Sequence, residues 1–164
     1  MAKLWQKNYT LDSMMEHFTV RNDYIYDQEL VLSDLIGSAA HAKGLGRIGI
    51  LSGDEVSSLL SGLEEIAEAR KGGAFPITLA DEDCHTAIEG YLTDKLGDTG
   101  KKIHTGRSRN DQVQTALRIY MREAALKLSS AALGFASSLM RLAKENEDVP
   151  MPGRTHMQIA MPSS

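Results

Sequence analysis

Apolar residues recur with the period of an α-helix along most of this sequence. From Tyr26 to Leu45 they fall at spacings of three and four, which predicts an amphipathic helix that is broken near Gly44. A second helix is predicted to start at Ser52, because Glu55 follows three residues later as in a capping box. The pair Gly72-Gly73 marks the expected end of that helix.

Two further helices are predicted in the second half of the chain. One begins at the acidic residues 81–83, since negative charge is favourable at a helix N-terminus, and runs toward Gly97. Residues 97–106 (GDTGKKIHTG) predict a loop. The longest periodic stretch runs from Asn110 to Glu147 and would span roughly 55 Å as a single helix. Such a long apolar helix needs partner helices from further chain, from other subunits or from both. No alternating strand pattern is visible, so the predicted fold class is all-α.

Composition and charge narrow the class of protein. The 164 residues are 42% hydrophobic and 24% charged, which excludes a disordered, collagen-like or low-complexity chain. A net charge of -4 gives no general attraction to nucleic acid or anionic membrane. One cysteine cannot form an internal disulfide, so a reducing compartment is expected. No signal peptide or membrane-spanning run is visible, which predicts a soluble, cytoplasmic protein.

Polar residues that could carry chemistry form three clusters. The first is DEDCHTAIE, residues 81–89, in which His85 could bind a carboxylate or place a proton. The alternative is that the acidic residues cap a helix while His85 lies at the surface. A metal site is disfavoured, because Cys84 and His85 are adjacent in sequence.

The second cluster is KKIHTGRSRNDQ, residues 101–112. Arg107 and Arg109 stand beside Ser108 and Asn110 at the expected start of the long helix, a combination that suits carboxylates or phosphates. The alternative is a solvated basic loop with Ser108 or Asn110 as the N-cap. An RNA-binding loop is disfavoured, because no aromatic residues are interleaved.

The third cluster is PGRTHMQ, residues 152–158, which follows a proline turn and presents Thr155 and His156. Histidine is the side chain best suited to proton transfer near neutral pH, although a lone histidine in a turn is more often structural. Motifs of metalloproteases, serine hydrolases and nucleotide-binding folds are missing from the sequence. Together, the three clusters suit a dicarboxylate substrate that undergoes proton transfer.

These motifs also carry a family resemblance. HTGRSRNDQV (residues 104–113), DEDCHTAIE and PGRTHMQIAMP resemble the argininosuccinate lyase family of the fumarase/aspartase superfamily, in the same order and over nearly the whole chain. The resemblance implies an N-terminal helical domain at 1–107 and the beginning of a central bundle of long helices at 108–164. It also implies a homotetramer in which three chains build each active site.

The resemblance further implies an activity and residue roles. The family is a carbon–nitrogen lyase of arginine biosynthesis and the urea cycle, which splits argininosuccinate into arginine and fumarate by anti elimination without metal or organic cofactor. His156 is the implied catalytic residue, acting in proton transfer or in orienting the catalytic pair. The implied substrate-binding residues are Asn110, Thr155, Ser108, Arg109, His85 and Asp27.

The sequence departs from the family pattern at several places. The opening reads LWQKNY at residues 4–9 where the family has LWGGRF, Asp23 replaces a common serine, and Arg154 replaces a tyrosine. The family's serine base lies on a mobile loop expected beyond Ser164. The chain is therefore expected to be an N-terminal portion that is inactive alone, in keeping with an ending unlike a finished domain.

Two other functions compete with this one. A non-catalytic structural or binding protein could use the lyase scaffold, as lens delta-crystallins do. Another lyase of the superfamily could act on adenylosuccinate or aspartate. In either case no nucleic-acid or membrane partner is expected.

Overall fold

The computed structural model describes residues 12–163, which fall into two compact units, one up to Met121 and one from Arg122 onward. The opening segment LWQKNY lies outside the described residues. The sequence predicts a domain boundary between residues 107 and 108. The division into compact units does not test this boundary, which stays a prediction.

Helices form most of the described chain. They are α1 (Ser13–Val20), α2 (Asp23–Tyr26), α3 (Val31–Arg47), α4 (Gly53–Lys71), α5 (Cys84–Leu96), α6 (Asp98–Lys101) and α7 (Arg109–Glu145), with 3₁₀ turns at Asp27–Glu29 and Lys102–His104. Two short strands follow, β1 (Met151–Thr155) and β2 (Gln158–Ser163). The all-α fold class is confirmed, with this small hairpin as an addition to it.

Polar side chains cap the N-termini of two of these helices, as the sequence predicts. The Ser52 hydroxyl accepts from the Glu55 N–H at 3.2 Å, and the Glu55 carboxylate accepts from the Ser52 N–H at 2.9 Å. This capping box is confirmed, as is the helix end at Gly72. Asp83 caps α5 by accepting from the Thr86 N–H at 2.7 Å.

The core of the first unit lies where α3, α4 and α5 pack together. Leu59, Ile66 and Leu92 are fully buried there. Close approach depends on Gly62, because a Cβ at this position would come within 2.7 Å of Leu92 Cδ2. The remaining core residues come from the same helices and their flanking turns: Val31, Leu35, Ala42, Leu45, Leu51, Leu63, Ile77, Cys84, Ala87, Ile88 and Ile103.

Two predicted element boundaries are wrong in this unit. The helix expected from Tyr26 to Leu45 is split, because α2 and a 3₁₀ turn precede α3, and α3 then continues through Gly44 to Arg47. The loop expected at 97–106 contains α6 and a second 3₁₀ turn. Packing explains the latter, since Gly100 is buried and a Cβ there would lie 2.2 Å from the Leu92 carbonyl oxygen.

The second unit comprises the later turns of α7 and the hairpin, and its large apolar side chains are exposed. At about 100° per residue, the apolar positions of this part of α7 form two stripes roughly 150° apart. We call them the first stripe (Leu126, Leu133 and Met140) and the second stripe (Leu128, Phe135, Leu139 and Leu142). Helices that are apolar on more than one side are typical of the inside of a bundle.

The hairpin corrects the expectation that no strand would form. Strands β1 and β2 pair antiparallel with Thr155 opposite Gln158, which leaves His156 and Met157 as a two-residue turn. Both turn residues have positive φ, 49° and 62°, as the tight turns of hairpins require. The sequence did not reveal the strands because nearly all their residues are exposed, so neither face carries an alternating apolar pattern.

Within residues 12–163, the helices do not include a membrane-spanning one. Each of them is too short or too polar to cross a bilayer.

Two glycine substitutions test the packing of the first unit. We expect Gly100→Ala to lower the free energy of unfolding by about 3 kcal/mol, because its Cβ would clash with backbone atoms of α5. Gly44→Ala is the matched control, since nothing lies within 4 Å of the added carbon. It should raise the free energy of unfolding by about 0.5–1 kcal/mol through helix propensity. Urea unfolding curves measure both, and equal stability of the two variants would contradict the close approach.

Candidate functional site

The predicted site residues divide between the two units. The first unit holds Asp27, His85 and residues 108–110, whereas the second holds Thr155 and His156. Each group is described within its own unit.

Arg109 joins the beginning of α7 to the beginning of α5. Its Nη1 lies 2.8 Å from Asp83 Oδ1, and its Nη2 donates to Thr86 Oγ1 at 3.2 Å. Asp83 and Thr86 are also the two partners of the α5 N-cap. The Arg109 guanidinium therefore holds two helix starts together, which is consistent with a role in shaping the loop.

Ser108 caps α7 in a reciprocal arrangement with Asp111. The Ser108 N–H donates to Asp111 Oδ2 at 2.9 Å, and the Asp111 N–H donates to Ser108 Oγ at 3.3 Å. Donation from the Ser108 N–H and hydroxyl lowers the pKa of the Asp111 carboxyl. Of the two N-cap candidates considered from the sequence, Ser108 is the one that caps.

Asn110 differs from Ser108 and Arg109 in the hydrogen bonding of its side chain. It lies in the first turn of α7, its side chain is exposed, and among residues 12–163 no partner accepts from or donates to its amide. The first turn of a helix also presents backbone N–H groups that suit an anion. Asn110 therefore offers the free polar group at this helix start.

His85 is buried, which corrects the alternative that placed it at the surface. Its Nδ1 lies 3.2 Å from Asp34 Oδ1, and both side chains are at most 2% exposed. Gln112 Nε2 donates to Asp34 Oδ2 at 3.1 Å, so α3, α5 and α7 meet at one carboxylate. The first turn of α5 packs against α3, and this contact turns His85 inward.

The other ring nitrogen of His85 has a different environment. Within the described part of the chain, His85 Nε2 is buried without a hydrogen-bond partner, and so is Gln112 Oε1. Buried polar atoms without partners are uncommon, and they often mark functional sites.

Asp27 contacts the same helix start from another side. Its Oδ2 accepts from the Cys84 N–H at 3.0 Å, and the carboxylate is half-buried. Burial, followed by the nearby charges of Asp27, Asp34 and Asp83, raises the pKa of the Cys84 thiol. Asp27, Cys84 and His85 each bring one potential metal ligand within 4.8 Å of the others, although adjacency had argued against a site.

Sequence reasoning missed Asp34, Gln112 and the partial burial of Arg107. The Arg107 Nη2 donates to Ser38 Oγ at 3.1 Å, and burial lowers the pKa of its guanidinium. Asp34 carried a readable signal, since it falls on the apolar face of α3 beside Val31 and Leu35. Gln112 carried none, because a glutamine near a helix start is normally solvated.

A small cavity lies beside these residues. Its volume is about 120 Å³, and its lining includes Asp34, His41, Arg107 and Gln112. His41 Nε2 lies 2.9 Å from the Thr105 carbonyl oxygen, which fixes the ring against the loop.

Thr155 and His156 lie at the tip of the hairpin. Thr155 ends β1 and His156 begins the turn, and both side chains are exposed. The tip of the hairpin thus carries an exposed hydroxyl and an exposed imidazole at adjacent positions. Arg154, one of the departures from the family pattern, pairs with Ile159 within the same hairpin. The other described departure, Asp23, is exposed at the beginning of α2.

The chain matches a known protein family over nearly its whole length. The sequence profile of a family described as "Lyase" matches residues 6–164. The chain belongs to this lyase family.

Individual relatives carry a more specific name. The chain is 45% identical over 99% of its length to a protein named argininosuccinate lyase from Sorangium cellulosum. Proteins of the same name from Stenotrophomonas maltophilia and Thermotoga neapolitana are 44% and 43% identical over 98% of the chain. The chain spans 38–40% of the length of these relatives.

The Asp34–His85 contact can be tested by removing its charge. We expect Asp34→Asn to lower the free energy of unfolding by about 3 kcal/mol, because a buried pair then loses one charged partner. Asp94→Asn is the matched control, since Asp94 is exposed on α5, and its effect should stay within about 0.5 kcal/mol. Chemical denaturation measures both. A loss no larger in Asp34→Asn than in the control would contradict the stabilising role of this carboxylate.

Proposed function

We propose that the protein carrying this sequence is an argininosuccinate lyase, which splits argininosuccinate reversibly into arginine and fumarate. The observation that carries the proposal is the match of nearly the whole chain to relatives of that name at 43–45% identity. The TGRSRND loop, specific to this branch by resemblance, lies at the start of α7 with Asn110 exposed.

The proposed reaction is an anti elimination. A base removes a proton from Cβ of the succinyl part, which gives a dianion with its new charge on the carboxylate. The carbon–carbon double bond then forms as the carbon–nitrogen bond breaks, and an acid protonates the departing guanidine nitrogen. Donors fixed where this charge develops contribute most to the rate.

The residues of this chain have proposed roles in these reaction steps. Asn110 binds a substrate carboxylate at the helix start, and Ser108 and Arg109 hold the loop in position around it. Thr155 binds a carboxylate, and His156 moves a proton or orients the catalytic pair. Asp27 faces the arginine-like end, and His85 supports the site from the buried side. The proposal needs no metal or organic cofactor for the reaction.

A homotetramer is proposed for the whole protein. The two apolar stripes of α7 support it, because large exposed apolar surfaces normally lie in interfaces. Each stripe would pack against a different neighbouring helix of a shared bundle. The proposed place of action is the cytoplasm, in arginine biosynthesis or the urea cycle.

Nucleic-acid binding is not proposed, and the contacts of the basic loop support this. Lys101 pairs with Asp98 at 2.9 Å, Lys102 pairs with Glu55, and Arg109 pairs with Asp83. With these cations neutralised by the protein itself, little free positive charge is left for phosphates.

Activity on a panel of substrates tests the proposal. We expect the full-length protein to release fumarate from argininosuccinate, and not from adenylosuccinate or aspartate, as followed by ultraviolet absorbance. Release from either other substrate would favour another lyase of the superfamily. Absence of turnover together with no heat of argininosuccinate binding would favour a structural protein on the lyase scaffold.

The role of His156 has a direct test in the same assay. We expect His156→Asn to lower kcat by about 10²–10⁴-fold, the usual contribution of a positioned proton-transfer group. His17→Gln is the matched control, since His17 is exposed on α1, and it should leave kcat unchanged. A His156→Asn variant with normal kcat would contradict the proposed role.

The stripes of α7 predict the oligomeric state. Phe135→Glu places a charge in the second stripe and should reduce the sedimenting mass below that of a tetramer. Lys127→Glu changes a residue that falls between the stripes by helical period, so it should remain tetrameric. Analytical ultracentrifugation measures both. Retention of the tetramer in Phe135→Glu would contradict packing through this stripe.

A further inference from the structure

Potential metal ligands converge at the beginning of α5. The 3₁₀ turn at Asp27–Glu29, helix α3 and the first residues of α5 each contribute to this place in the first unit. Cys84 and His85 are fully buried, as is Asp34, while Asp27 is half-buried. Sulfur, nitrogen and carboxylate oxygen atoms are thus held together away from solvent.

One distance between these atoms is close to an edge of a tetrahedral zinc site, and a second distance fixes the histidine ring. Cys84 Sγ lies 3.7 Å from His85 Nδ1, which in turn lies 3.2 Å from Asp34 Oδ1. Zinc bonds of about 2.3 Å to sulfur and about 2.0–2.1 Å to nitrogen and oxygen give tetrahedral edges of about 3.5 Å and about 3.3 Å. One oxygen of Asp27 lies within 4.8 Å of both the sulfur and a ring nitrogen of His85, so three potential ligands from three side chains are gathered here.

Electrostatics at this place also favours a cation. Burial is the main cause that raises the pKa of the Cys84 thiol, and the carboxylates of Asp27, Asp34 and Asp83 raise it further. Asp83 pairs with Arg109 at 2.8 Å and the charge of Arg107 acts on Asp34, so the negative potential at Cys84 is only partly offset. A divalent cation would offset this negative potential and stabilise the thiolate.

We propose that Cys84 Sγ, a ring nitrogen of His85 and the carboxylate of Asp27 form a binding site for a divalent cation of the Zn²⁺ type, with Asp34 orienting the imidazole. Thiolate and imidazole together select Zn²⁺ over Mg²⁺ or Ca²⁺, which prefer oxygen ligands. On binding, the thiol proton leaves to solvent, and the imidazole ligates the cation in its neutral form. The inference does not depend on lyase activity, because its test measures metal binding without substrate.

Zinc titration against a chromophoric chelator tests the site. We expect one Zn²⁺ per chain in the full-length protein and at least a tenfold weaker affinity in Cys84→Ser, which keeps the size of the side chain and removes the thiolate. His17→Gln controls for binding at exposed histidines and should leave the affinity unchanged. Equal affinity of wild type and Cys84→Ser would overturn the site, as would the lack of zinc binding to the wild type.

Cobalt substitution keeps the proposal testable if Cys84→Ser does not fold. We expect Co²⁺ bound to the wild-type protein to show a near-ultraviolet thiolate-to-metal charge-transfer band, because Cys84 is the single cysteine of the sequence. Zinc should abolish this band by displacement. Bound Co²⁺ without such a band would overturn the assignment of Cys84 as a ligand.

Discussion

The buried carboxylate of Asp34 is the contact on which the first unit depends. It receives His85 from α5 and Gln112 from α7 while belonging to α3 itself, so three helices meet at one charged group. A charge in such a place must be fully partnered, because leaving it unpaired costs several kcal/mol. That requirement fixes the rotation of α5, since any other rotation would remove the imidazole from the carboxylate. The same carboxylate connects the first turn of α7 to α3 through Gln112.

The exposed groups of the candidate site in this unit follow from that buried arrangement. Once the beginnings of α5 and α7 are set, Arg109 reaches Asp83 and Thr86, and Ser108 and Asp111 cap each other. These polar groups are then occupied by the protein, which leaves the Asn110 amide and the first backbone N–H groups of α7 facing outward. The conspicuous cations of the loop are therefore mostly structural, and the less conspicuous asparagine is the group available to a ligand.

Much of the local structure was predictable from the sequence. Three features depend on residues only a few positions apart, and their pattern is therefore visible in the sequence: the capping box at Ser52, the cap at Asp83 and the long apolar period after Asn110. The hairpin was not predictable, because its exposed faces carry no apolar alternation and its turn uses His156 and Met157 rather than glycine. The short helix α6 was not predicted either, because its residues have the composition of a loop. Gly97 and Gly100 are typical of a loop, yet Gly100 is needed for close packing on α5.

The sequence by itself determined the helical class, the family and the identity of the polar clusters, because periodicity, caps and motifs are local properties of the chain. Only the tertiary structure decided which members of those clusters are buried, paired or free. From the sequence, His85 could lie at the surface, bind a carboxylate or place a proton. Its contact with Asp34, 51 positions away along the chain, places it in the core. The gathering of Asp27, Cys84 and His85 likewise required the packing of separate elements. Burial and pairing depend on residues far apart in sequence, and only the folded chain brings these together.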